Sequence, residues 1–210
     1  MPLSIDFVQE KFKKPFVIGV GGLATSGKDT FFSLLQSYLE AYGIKARRFA
    51  LADELKKEID PYLQSQFGIS AFTTNPEEKR LIRPCLVSHG FVRRQTTKGA
   101  YWTGKIDSAI QESIENGIVP VVTDIRYAEF DVDELAWLSK SGGKLVHVTR
   151  YVEHAIQNGE MVKTFIAPPN EDERKNDPII KERADFRVEW RTEKSLSTLG
   201  QYVEDFVKII

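Results

Sequence analysis

The chain has one cysteine, three scattered histidines and no long apolar run. With Cys85 alone an internal disulfide is excluded, and a reducing compartment suits the composition. So few Cys and His argue against a Cys/His zinc centre. No apolar stretch approaches the roughly 20 residues of a membrane-spanning helix. Residues 1–14 lack the apolar core of a signal peptide. Net charge is nearly absent as well: 29 basic and 30 acidic residues leave a formal −1. That balance argues against general coating of nucleic acid and leaves a local basic cleft open. Repeats and low-complexity tracts are missing. Two hundred and ten residues suit one α/β domain, with room for a mobile insertion but hardly for a second core.

What is present is a glycine-rich turn in a telling place. Gly22, Gly27 and Lys28 stand at the spacing G-x-x-x-x-G-K, after the apolar run Phe16-Val17-Ile18-Gly19-Val20. Behind them Phe31, Leu34, Leu35, Tyr38 and Tyr42 share one face of a helical segment. A strand, such a loop and a helix together make a phosphate-binding site. The glycines let backbone N–H groups converge on phosphate oxygens, the helix N-terminus adds positive potential, and the lysine neutralises negative charge. Asp29 stands where a Ser or Thr hydroxyl would usually hold Mg²⁺; its carboxylate is still a hard oxygen ligand. Thr30 is placed to hydrogen-bond a more distal phosphate.

Further along, Lys45 to Ala50 reads as a strand and Asp53 to Lys57 opens a helix, which Pro61 is expected to interrupt. Phe67 to Asn75 reads as loop. Glu77 to Leu86 is helical, with Pro84 marking a kink or boundary and His89-Gly90 closing the piece. A helix from Lys105 to Asn116 carries Ile106, Ile110 and Ile114, and Gly117 sits at its cap. The β-branched run Ile118 to Thr123 is a buried strand that delivers Asp124 and Arg126 at its end. A helix over 129–139 and a strand over 144–149, ending in Arg150, follow. Residues 151–183 break the rhythm; the charged stretch Pro168 to Pro178 reads as a solvated loop or as a lid over nucleotide. A strand over 184–190 and a helix over 196–210 close the chain, with Leu199, Tyr202, Val203, Phe206 and Ile209 facing inward. Alternating strands and helices imply a parallel sheet whose ligands lie at the strand C-termini. Lys28, Asp124, Arg126 and Arg150 all fall there.

On an acceptor side, Arg83, Arg93, Arg94 and Arg126 would suit a phosphate monoester, which a planar guanidinium grips bidentately. Asp124 has two readings, a water-mediated Mg²⁺ ligand or a group that fixes an arginine or a sugar. Asp53 either enters the cleft or caps its helix. Tyr101 and Trp102 either stack on a base or pack in the core, the commoner use. Trp137 and Trp190 are assigned to the core, Cys85 to a small buried site, and the histidines to no catalytic constellation.

Ser26-Gly27-Lys28-Asp29-Thr30 resembles the phosphate loop of phage-type deoxynucleoside monophosphate kinases, which also carry Asp after the lysine. Ala52, Leu55 and Lys56 match that family's segment after the second strand. Arg83, Gly90 and Tyr101-Trp102 keep its spacing, Asp124-Ile125-Arg126 matches its D-x-R, and Val146-His147-Val148 with Arg150 matches its next strand. The resemblance spans 16–210 and is weakest over 57–76 and 151–184. It implies a three-layer α/β P-loop kinase fold, a central parallel five-stranded sheet flanked by helices, with a mobile lid. One domain, 1–210, would divide into a core (16–56, 117–150 and 184–210), an acceptor region (57–116) and a lid (151–183). ATP and Mg²⁺ would be the cofactors and a deoxynucleoside monophosphate the acceptor. By position, Gly22, Ser26, Gly27, Lys28, Asp29 and Thr30 would bind ATP, with Asp29 as metal ligand. Lys28, Asp124 and Arg126 would be catalytic, and Lys56, Arg83, Arg94, Trp102, Asp124 and Arg126 would bind the acceptor. Arg174, Lys175 and Arg183 would be the lid's cations. A cytoplasmic location follows, the host cytoplasm if the chain is phage-encoded; no membrane partner is expected, nucleic acid is disfavoured and a homodimer is left open. Two other readings stand beside it: a P-loop kinase acting on a hydroxyl, such as a hydroxymethylated base in DNA, and a nucleotide-dependent binding module without turnover.

Overall fold

The β-branched runs assemble first into a sheet, and everything else is laid against its two faces. The computed structural model describes residues 3–156, 159–192 and 196–210. Strands β1 (Ile18–Gly21), β2 (Lys45–Phe49), β3 (Ile118–Ile125), β4 (Lys144–Ala155) and β6 (Phe186–Arg191) are mutually parallel in the order β2-β3-β1-β4-β6. These are the five parallel strands expected from the sequence. A sixth, β5 (Met161–Phe165), was not: it turns back antiparallel along the far half of β4, Tyr151 opposite Phe165.

Side chains alternate across the strands and so define two cores. Ile18, Val20, Val121, Val146, Val148 and Val188 face one layer, made of α1 (Ile5–Lys11), α2 (Lys28–Ala41) and α8 (Leu196–Ile209). Phe31 and Phe186 both lie against the fully buried Phe206 of α8, at 5.7 Å between ring centroids in each case. Val17, Val122, Ile125 and Leu145 face the opposite layer, formed by α3 (Leu51–Phe67), α5 (Ala100–Glu115), α6 (Glu134–Lys140) and α7 (Glu171–Arg183). Gly21 makes the second layer's approach close. A Cβ there would stand 2.6 Å from Ile180 Cγ2, so α7 rests directly on β1. α4 (Pro76–Thr96) is held further out, on α3, through Ile59, Leu63, Ala71 and Ile82.

Several boundaries differ from the sequence reading, each for a packing reason. Pro61 does not interrupt α3. Ile59 and the fully buried Leu63 flank it, and burying two such side chains at roughly 1.5–3 kcal/mol each offsets the ~3 kcal/mol that an internal proline costs. Pro84 and Gly90 likewise sit inside α4, which runs on to Thr96; Gly90 is where α4 crosses α3, a Cβ there meeting Leu55 Cδ1 at 2.6 Å. α5 begins at Ala100, so Tyr101 and Trp102 belong to its first turn, and α6 is shorter than expected. Residues 171–183, read as solvated loop or lid, form a helix capped by Asn170, with Glu173, Asn176 and Ile180 buried. In α8 the inward face ends in Val207, while Ile209 is exposed. The helix α1 was missed; Ser4 caps it, and Val8 and Phe12 enter the core. Trp137 and Cys85 are half-buried, and Trp190 is buried.

Replacing Phe206 by Ala removes the one ring that α2 and β6 share, so Phe206→Ala should cost about 3–5 kcal/mol. Since a whole domain has about 5–15 kcal/mol to lose, urea unfolding should show a midpoint shifted far down or a chain already unfolded in buffer.

Candidate active site

β1 stops at Gly21, and the chain then curls back on itself before α2 starts at Lys28. Two glycines allow the curl. Gly22 has φ +128°, and a Cβ on it would stand 2.3 Å from the Val148 carbonyl oxygen. Gly27 has φ +100°, and a Cβ there would press to 2.4 Å from the Trp190 ring. Both angles lie where side-chain-bearing residues are strained. Trp190 Nε1 donates to the Ser26 carbonyl at 2.7 Å, and Arg150 donates to the Thr25 carbonyl at 3.3 Å and to Thr192 Oγ1 at 3.0 Å. The turn is therefore fixed from β4 and β6. Ser26 Oγ is buried with no hydrogen-bond partner.

Lys28 points into this turn, 8 % exposed, and Nζ donates to the carbonyls of Gly22 and Leu23, 2.7 Å each. Burial, then the Arg126 charge, pulls its ammonium down to about 8, while Glu173, Asp124 and Asp29 pull it the other way. Those four residues are thus the electrostatic surroundings of the loop lysine. Asp29, in the first turn of α2, is open to solvent (side chain 78 % exposed) and accepts from Arg48 Nε at 3.2 Å; the same guanidinium reaches Asp53 at 2.9 Å. Thr30 is half-buried.

At the end of β3 the two expected residues have different uses. Asp124, 7 % exposed, accepts from the backbone N–H groups of Leu51 and Ala52, 2.8 Å each. It caps α3 from the neighbouring strand, because the helix's own cap residue, Ala50, has no side chain to do so. Burial pushes its carboxyl above the usual range. Arg126, by contrast, is 40 % exposed at its side chain, and its nearest anion is Glu173 at 3.9 Å. Its Nε is buried with no partner.

The backbone that carries Arg126 is held by Glu134 of α6, whose Oε2 accepts from the N–H groups of Arg126 and of Tyr127, the latter at 3.1 Å. Burial, and after it the nearby Asp124 charge, push Glu134 up to about 8 against those two hydrogen bonds. Neither Glu134 nor Glu173 was singled out from sequence. Glu173 accepts from the Ala24 N–H of the loop at 2.7 Å, across 149 residues of chain. The only sequence signal for it was the acid run after Asn170, which marks a helix start.

The remaining expected residues have other partners or stand exposed. Arg94 is buried, donates to Glu129 at 2.8 Å, and stacks on Tyr127 at 3.8 Å from the ring centroid. Trp102, read as a base-stacking or core residue, is core: its ring is enclosed between Tyr101 and His89, and its N–H faces the Gly90 carbonyl at 3.5 Å. Arg93, with Tyr101, Lys105 and His89, is spent on Glu58. Burial would raise that carboxyl, but the Tyr101 hydroxyl, Arg93 and Lys105 together hold it down at about 2. Lys56 lies over the Phe72 ring at 5.7 Å, and Arg83 is exposed on α4. Lys175 pairs with Glu129, Arg174 with Glu171, and Arg183 is exposed. His147 is buried against Asp177 of α7 at 2.9 Å.

Among the described residues no group of three or more His, Cys, Asp or Glu side chains could hold a metal by itself, and no helix is long and apolar enough to cross a membrane. Asp29 offers a single exposed carboxylate, which fits a Mg²⁺ that takes most of its other ligands from phosphate and water.

No family model and no curated protein matches the chain. Among solved structures, it is similar to the Mycobacterium tuberculosis APS kinase CysC in complex with AMPPNP and APS, at 15 % identity over 93 % of this chain and 98 % of that one, with a TM-score of 0.46. A cysteine-to-alanine mutant of the same kinase gives 14 % identity over the same shares and 0.44. The structure of APE1195 gives 12 % identity over 94 % and 97 %, and 0.40. Overlaps this loose leave the functional reading to the chain's own geometry.

Glu134 makes stability depend on pH in a defined sense. Between the ordinary carboxylate range and about pH 8 the folded chain keeps a proton that the unfolded chain has released. Raising pH through that window therefore takes stability away. Urea midpoints should fall from pH 5.5 to pH 8.5 in the wild type, and Glu134→Gln, which still accepts from both N–H groups, should flatten the decline.

Proposed function

We propose that this chain transfers the terminal phosphoryl group of ATP to the phosphate of a deoxynucleoside monophosphate. The observation that carries the reading is one of placement. Lys28 is folded into a glycine turn at the end of β1, and the part-exposed guanidinium of Arg126 ends the adjacent strand β3 on the same rim. The two are close enough for Arg126 to depress the lysine. A donor phosphate at the loop and an acceptor phosphate at Arg126 would meet there, and phosphoryl transfer is chiefly a matter of such positioning and of charge around the equatorial oxygens.

In this reading Lys28 and the loop N–H groups orient the donor, and Arg126 grips the acceptor with the exposed end of its guanidinium. Mg²⁺, when bound with ATP, neutralises phosphate charge, and Asp29 would supply its protein oxygen, competing with Arg48 for the carboxylate. Asp124 keeps the cleft open by capping α3 rather than by touching either phosphate. No general base is required, because a phosphate monoester is already ionised near neutral pH. A hydroxyl acceptor would need one. Its two candidates, Asp124 and Asp53, are held by backbone N–H groups and by Arg48, which disfavours that alternative.

Purified protein with ATP and Mg²⁺ should release ADP only when a particular deoxynucleoside monophosphate is added. Labelling of hydroxymethylated DNA instead would overturn the proposal, and ATP binding with no active acceptor would favour the binding-module reading. Lys28→Ala should lower transfer by about 10²-fold or more with the urea midpoint little changed; normal turnover would remove the loop from the site. For Arg126→Ala, acceptor KM should rise and kcat fall, together about 10²-fold in kcat/KM, and unchanged constants would place this residue outside the acceptor pocket.

A further inference from the structure

Among the described residues, Glu173 is a side chain that reaches both halves of the proposed site. Its Oε2 accepts from the Ala24 N–H of the phosphate loop at 2.7 Å, and its Oε1 lies 3.9 Å from Arg126 NH1. We propose that Glu173 is a positioning residue that sets the distance between the phosphate loop and the acceptor arginine. This deepens the phosphoryl-transfer reading and rests on it.

The carboxylate is itself held in place. Glu173 N–H donates to Asn170 Oδ1 at 2.8 Å, and Asn170 Nδ2 donates back to Glu173 Oε1 at 3.4 Å. One turn on, the fully buried Asn176 accepts from the Ala128 N–H at 2.9 Å and donates to Glu129 Oε1 at 3.3 Å. One turn further, Ile180 lies on Gly21 of β1. α7 is thus attached at three successive turns to the loop, to the segment that follows Arg126, and to the strand beneath them. A shift of α7 moves the loop and the arginine together.

Charge, not packing, explains why an acid stands there. Glu173 is 8 % exposed, and a buried carboxylate is costly unless hydrogen-bonded and faced by cations. Here it has one loop N–H, one amide, and the field of Lys28 and Arg126. The other reading of the same contact is a placeholder, a carboxylate occupying a phosphate position that nucleotide must displace. The attachment of α7 at three turns favours the bridge, since displacing the carboxylate would undock the helix.

The two readings separate in Glu173→Gln and Glu173→Ala. Gln keeps an oxygen for the Ala24 N–H and loses only the charge, whereas Ala loses both. A bridge predicts that Glu173→Ala lowers kcat by about 10- to 100-fold and raises acceptor KM. It also predicts that Gln recovers part of that loss, and that the dissociation constant of AMPPNP, measured by calorimetry, stays within about threefold of wild type in both variants. Tighter AMPPNP binding with undiminished kcat would overturn the bridge in favour of the placeholder. Loss of activity in step with the folded fraction, read from urea unfolding of the same samples, would overturn it in favour of a merely structural acid. Wild-type protein that phosphorylates no monophosphate overturns both this inference and the reading beneath it. Active wild type with both variants within about twofold of it overturns the role of Glu173 alone.

Discussion

The shape of the loop after β1 depends on a lysine that has been turned inward. Burying an ammonium is costly unless its protons are matched, and Lys28 finds its acceptors in the carbonyls of Gly22 and Leu23, six and five residues earlier in the chain. Those carbonyls face inward only if the chain curls tightly, and the curl demands positive φ at Gly22 and Gly27. Once the side chains of those two residues are gone, the carbonyl of Val148 and the ring of Trp190 can close against the loop from behind. Trp190 then bonds the Ser26 carbonyl and lies edge-on to Tyr202 of α8, so the loop is continuous with the core on that face. The register of β1, β4 and β6 and the shape of the loop are therefore one constraint.

The arginines divide by the same rule. A guanidinium removed from water must meet an acid or an aromatic face, and Arg94 meets both, Glu129 and Tyr127. Arg93 joins the Glu58 cluster, Arg48 links Asp29 to Asp53, and Arg150 braces the loop at Thr25. Each holds two elements together. Arg126 is different, with a longer contact to its nearest acid and a buried Nε that no described group satisfies. Position at a strand end set it apart from Arg83, Arg93 and Arg94 in the sequence; Arg150, also expected at a strand end, braces the loop instead.

Features governed by local chemistry could be read directly: the five parallel strands from their β-branched runs, the tight loop after β1 from its glycine spacing, and the inward face of α2. Features governed by partners distant in sequence could not. Pro61, Pro84 and Gly90 are stop signals by their own chemistry, and α3 and α4 continue through them because of what Ile59, Leu63 and Leu55 bury. α7 has almost no apolar periodicity, since only Ile180 enters the core and its other anchors, Glu173 and Asn176, are polar. Asp124 was recognised, but its role was not. That an acid on β3 would cap a helix whose own cap position is Ala50 becomes visible only when β2 and β3 are paired. Trp102 has the same explanation, its neighbours His89 and Gly90 lying on the helix before it.

The acids around the rim share one employment. Asp124 holds the first N–H groups of α3, Glu134 those of Arg126 and Tyr127, Asp133 those of Glu129 and Phe130, and Glu173 that of Ala24. Loops that surround a cleft carry backbone donors with no ladder to join, and an unpaired buried donor costs about 1–3 kcal/mol. Four acids used in this way hold the backbone of the segments around Lys28 and Arg126. Their accepting oxygens are committed to backbone donors, and Glu134, pushed up to about 8, already carries its proton near neutrality, so they are poorly placed to serve as a base. In the proposed reaction the acceptor arrives already ionised and asks of the protein only position and positive charge, the roles proposed for Lys28 and Arg126. The scarcity of a free base and the abundance of braced backbone are thus two consequences of the same construction.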